Sequence, residues 1–140
     1  MILRRRPPLP ADLHAAWRGF VDCAEVVEGG RRTLLGTLPV GRLDPAPVGV
    51  GLDAMHQAIR TARDWMPRWR IDDLEDQWQA CQQALTESET GLEPARRTAA
   101  TTAELEALLG SVEEVVVPLD AFADAERRWR DGWKLPREDR

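Results

Sequence analysis

The feature that most constrains this fold is a run of apolar residues at alternating steps of three and four. Ile71, Leu74, Trp78, Cys81 and Leu85 recur at that period, which places them on one stripe of an α-helix. Asp73, Glu75, Asp76, Gln79, Gln82 and Gln83 lie between them and face water. A helix patterned this way is marginal alone and needs neighbours to cover its stripe.

The rest of the chain supplies such neighbours. Leu13, Trp17, Phe20, Ala24 and Val27 keep the same spacing, widened by Ala16 and Cys23. Leu52, Met55, Ile59, Ala62, Met66 and Trp69 form another stripe, and Leu105, Leu108, Val112, Val115, Leu119, Phe122, Trp129 and Trp133 a fourth. Four amphipathic segments predict an all-α, antiparallel four-helix bundle.

Boundaries follow from helix-breaking and capping residues. The first helix is expected from Pro10, with Asp12 favouring its N-terminal dipole. Gly29-Gly30 is expected to end or weaken it, with Arg31 to Leu38 a further helical stretch, kinked or separate. Residues 39–51, with three prolines and three glycines, read as a linker between the first and second helices. The second helix is expected from near Leu52 and to end or kink at Pro67. Gly91 is expected to close the third, with Pro94 opening the next segment. Thr101-x-x-Glu104 and Ser111-x-x-Glu114 match the capping box, and Pro118 is expected to kink the last helix. Residues 1–9 read as a mobile leader, 10–133 as the single domain, and 134–140 as a disordered tail.

Charge and composition narrow the function classes. A net charge of -5 argues against nucleic acid as a partner, because neutralising phosphates requires a basic surface. Arginine outnumbers lysine, of which Lys134 is the sole example, and Asn and Tyr are absent. Residues with A/T-rich codons are thus scarce, as a GC-rich bacterial genome produces, so the arginines are not read as phosphate ligands. Arg4-Arg5-Arg6 is followed by prolines where a signal peptide would need its apolar core. No apolar run approaches the roughly 20 residues that span a bilayer. Cytoplasmic location is therefore expected, with Cys23 and Cys81 reduced and buried.

Catalytic and metal motifs are incomplete. Di-iron bundles need two Glu-x-x-His pairs and two further glutamates, whereas Asp53-x-x-His56 is the one comparable pair here. Helical nucleotide pyrophosphohydrolases hold Mg²⁺ with paired Glu-x-x-Glu and Glu-x-x-Asp. Glu25-x-x-Glu28 with Asp73-x-x-Asp76 is the nearest approach to that set. The acids at 72–76 have a simpler role at a helix N-terminus, where they favour the dipole by ~0.3–1 kcal/mol. Ser88 and Ser111 lack a nucleophile context. Arg4-x-x-Pro7-x-x-Pro10 fits the polyproline pattern bound by SH3 domains.

Tryptophan is overrepresented, with six against two Phe. Trp65 and Trp133, beside Pro67 and the tail, are the hardest to bury and mark a candidate contact surface. The leading expectation is a non-enzymatic bundle that acts through protein–protein contact, a second copy of the chain being one candidate partner, with no cofactor. The alternatives are a bundle enclosing an apolar ligand cavity lined by Trp17, Phe20, Met55 and Trp78, and a divalent-metal enzyme on Glu25, Glu28, Asp73 and Asp76.

Overall fold

The computed structural model describes residues 10–41 and 44–133, with the side chain of Trp133 outside the description. The expected leader, its polyproline pattern and the expected tail therefore lie outside the described residues. What is described is an antiparallel four-helix bundle, with no strand among these residues.

Helix α1 (Ala11–Gly36) runs through Gly29-Gly30 without a break. The expectation of an end there fails for a packing reason. Phe20, Cys23, Val27, Gly30 and Leu34 continue the three-four period and are all buried. Gly30 belongs to that stripe because α2 comes so close. A Cβ at Gly30 would lie 2.6 Å from the Cβ of Ala58. Helix α2 (Ala46–Trp65) likewise starts earlier than near Leu52, so the connection from α1 is shorter than residues 39–51. Pro47 occupies the first turn, where a missing N–H costs nothing. Gly51 lets the helix pass close to Leu34, whose Cα would be 3.0 Å from an added Cβ.

Pro67 lies in a 3₁₀ turn (Met66–Trp69) that ends α2, and a second such turn (Asp72–Leu74) leads into α3 (Glu75–Thr101). The organising stripe therefore starts in a turn, and it runs much further than Leu85. Trp78, Cys81, Leu85, Ser88, Leu92, Ala95 and Ala99 keep the period and are all buried. Gly91 and Pro94 do not end this helix. Pro94 is solvent-facing, so the carbonyl its ring leaves unbonded four residues back has water available.

The last rod consists of α4 (Leu105–Val116), a 3₁₀ turn (Val117–Leu119) around Pro118, and α5 (Asp120–Trp133). Neither capping box forms. Thr101 is the last residue of α3, and Ser111 lies inside α4, donating to the carbonyl of Leu108 at 2.9 Å. Leu105, expected in the stripe, is exposed. The break at Pro118 is where α3 docks. Ser88 Oγ donates to the Val115 carbonyl at 2.6 Å, and a Cβ at Gly91 would lie 3.3 Å from the Glu114 carbonyl oxygen.

Neighbouring rods pack in chain order, α1 on α2, α2 on α3, and α3 on the last rod. Ion pairs tie α2 to α3, Arg63 with Glu89 at 2.9 Å and Arg96 with Asp53. Trp17, Trp69 and Trp129 are the most deeply buried indoles. Trp78 is 8% exposed, donates from Nε1 to the Met66 carbonyl at 2.8 Å, and lies beneath the Arg70 guanidinium. No helix among the described residues is long and apolar enough to cross a membrane.

Candidate functional site

The fourth seam of the bundle, between α1 and α5, is built differently from the others. At one end large rings fill it. Trp17 meets Trp129 edge-on with centroids 4.7 Å apart, and Phe20 contacts Trp129 at 5.4 Å and stacks on Phe122 at 6.3 Å. At the other end Arg31 of α1 pairs with Asp120 of α5 at 3.0 Å. Between these props the facing residues are small, chiefly Ala24 and Gly29 on α1 and Ala123 on α5. They cannot close the gap that the rings hold open.

A groove of about 520 Å³ results. Its floor is apolar, formed by Phe20, Val27, Leu119 and Phe122, and its walls carry Glu25, Glu28, Arg31, Arg32 and Glu126. Along α1 it extends from Phe20 to Arg32, roughly 18 Å at the helical rise of ~1.5 Å per residue. Most of the wall charges are paired. Glu28 lies 3.6 Å from Arg32 one turn away, and Glu126 lies 3.2 Å from Arg130. Glu25 is exposed and has no ion-pair partner among the described residues.

The candidate residues from the sequence divide around this groove. Of the expected cavity lining, Phe20 forms part of its floor, while Trp17 and Met55 are packed into the core and Trp78 sits at the core's edge. Glu25 and Glu28 line the groove, whereas Asp73 lies in the second 3₁₀ turn and Asp76 in the first turn of α3, and neither joins them. No group of three or more His, Cys, Asp or Glu side chains within reach of one metal ion occurs among the described residues. Asp53 and His56 both turn to Arg96, which pairs with Asp53 and approaches His56 Nδ1 at 3.4 Å. That pair clamps α2 to α3.

Trp65 is half-buried against the core, with the Arg68 guanidinium 4.7 Å above its ring. It is away from the groove. The side chain of Trp133, the other expected contact residue, lies outside the described residues. Cys23 and Cys81 are free thiols in the core. Burial pushes Cys23 up to about 11, opposed only partly by the Trp69 indole and the Arg68 charge. It pushes Cys81 up to about 12, with the Cys23 thiol adding to the shift. Neither forms a reactive thiolate at neutral pH. The sequence reading missed the α5 wall, Ala123 and Glu126, because periodicity says which residues face inward but not which two rods share a seam.

Nothing matches this chain among protein-family models, curated proteins or solved structures. The geometry of the groove therefore carries the functional reading.

Proposed function

We propose that this chain is a non-enzymatic interaction protein whose docking surface is the α1/α5 groove. The shape of the groove supports this most strongly. A volume of about 520 Å³ spread over roughly 18 Å gives a mean cross-section of about 29 Å², far less than the ~10–12 Å diameter of a whole helix occupies. It fits one row of apolar side chains from a segment laid along it, with charged walls left to meet that segment's polar flanks. The occupant would belong to a partner protein, a second copy of this chain included. Trp65 would add a separate, smaller contact.

Volume alone favours a second reading, since ~300–1,000 Å³ is the usual range for a small-molecule site. Site-directed photo-crosslinking separates the two. A benzophenone side chain at Ala123 in the groove is compared with one at Gln83, exposed on α3, in cells making the full chain. Protein adducts from position 123 and none from position 83 are expected. Adducts equally abundant from both positions would remove the groove as the docking surface. A small molecule that co-purifies with the wild type and is lost when Ala123→Trp fills the groove would favour the ligand reading.

A further inference from the structure

Resting on that reading, we infer that the occupant is a basic amphipathic helix of about three turns, its apolar stripe seated in the groove and a Lys or Arg beside Glu25. Three observations converge on it. The first is secondary structure. Both walls are helices, whose backbone groups are already bonded within themselves, and there is no sheet edge among the described residues. An extended segment laid here would leave its N–H and C=O groups without protein partners, whereas a helix satisfies its own. The second is length. Roughly 18 Å corresponds to about twelve helical residues, enough for anchors at i, i+3 or i+4, and i+7.

The third is charge. The two arginines on the walls lie at one end and are engaged, Arg31 with Asp120 at 3.0 Å and Arg32 with Glu28 at 3.6 Å. The middle of the α1 wall presents Glu25, exposed and unpaired among the described residues, beside a Glu28 that is 48% exposed and loosely held. A cation on the incoming segment gains Glu25, while Glu28 stays shared with Arg32. An anion meets Glu25 as a like charge, a repulsion that costs affinity and weakens as salt rises.

The test uses the full chain and three labelled peptides of twelve residues, read by fluorescence anisotropy. One carries an apolar stripe flanked by lysines, one the same stripe flanked by glutamates, and one the lysine composition with the stripe scrambled. The lysine-flanked peptide is expected to bind about tenfold more tightly than the other two, with affinity falling as salt rises. Glu25→Gln should weaken it about two- to fivefold, the worth of one exposed ion pair. Glu25→Lys should move the preference toward the glutamate-flanked peptide. Equal binding of the two amphipathic peptides, or an unchanged preference in Glu25→Lys, overturns the charge assignment but leaves the groove standing. Equal binding of the scrambled peptide, or no binding of any, overturns the helical occupant. Unchanged binding in Ala123→Trp, with its thermal midpoint checked against wild type, moves the peptide elsewhere and removes the groove itself.

Discussion

Gly29 and Gly30 are adjacent in α1 and have opposite surroundings, which makes them a sensitive test of the packing. A Cβ at position 29 would meet nothing within 4 Å, whereas one at position 30 would lie 2.6 Å from the Cβ of Ala58. Exchanging glycine for alanine inside a helix gains ~0.8–1.0 kcal/mol through backbone entropy, and that gain is common to both sites. At position 30 the new carbon sits about 1 Å inside the ~3.5–4.0 Å optimum for two carbons. Met55 Cε, the next neighbour at 3.0 Å, is a flexible end that can swing away. The Cβ of Ala58 is fixed to the α2 backbone and cannot. Relief requires α1 and α2 to part, loosening Leu34, Leu52 and Ile59 together. Overpacking of this kind costs ~1–3 kcal/mol. Gly29→Ala should therefore stabilise by about 1 kcal/mol, and Gly30→Ala should lie ~1–3 kcal/mol below it. Because the propensity gain cancels between them, the difference measures the close approach alone. Urea melts with matching slopes give it directly. A Gly30→Ala protein as stable as Gly29→Ala would show that α1 and α2 do not meet at that residue.

Three further outcomes are expected. Trp78→Ala should lose ~3–5 kcal/mol through the cavity it leaves, while its exposed neighbour Gln79→Ala should change stability by less than ~0.5 kcal/mol; equal losses in urea melts would put the stripe on another face. Ser88→Ala removes the 2.6 Å bond to the Val115 carbonyl and should cost ~0.5–1.5 kcal/mol, against almost nothing for the exposed Thr86→Ala; parity of the two melts would mean that α3 does not dock on the Pro118 break. Unfolded thiols ionise near pH ~8.5, whereas folded Cys23 and Cys81 hold their protons to about 11 and about 12. Stability should thus be full below pH ~8.5 and fall as pH rises toward those values, because the unfolded state then binds fewer protons. With no Tyr and a single Lys in the chain, Cys23→Ala with Cys81→Ala should flatten that alkaline loss, and an unchanged slope in melts across this range would place its origin elsewhere.

The bundle was legible because its stripes survive interruption. The residues that misled were those whose local preference is reversed by a contact across the bundle. Gly30, Gly51 and Gly91 read as breakers, yet each marks where another backbone or a fixed Cβ comes close. Ser88 is polar in an apolar register, which hid the continuity of α3 until the Val115 carbonyl supplied its acceptor. Thr101 and Ser111 fit a cap by spacing, but α4 starts at Leu105 and leaves both without that role. The groove was half legible. Phe20, Glu25 and Glu28 were singled out for two different chemistries, and one groove unites them. The opposite wall depends on which rod closes against α1, a long-range fact that no local pattern encodes.

The position of the groove follows from how the four seams are closed. Glycines and an alanine bring α1 to α2 and α3 to α4, so those backbones approach until little room remains. Between α1 and α5 the props are Trp17, Phe20, Phe122 and Trp129, rings that set a wider spacing than Ala24 and Ala123 can fill. Leucines at those two positions would bury more apolar surface, at ~25 cal/mol per Å², than alanines do. The seam therefore holds less stability than this architecture permits. An occupant that inserts its own side chains supplies the missing burial, and its binding stabilises the folded chain by RT ln(1 + [L]/Kd). Docking and the completion of the core are, on this reading, the same event.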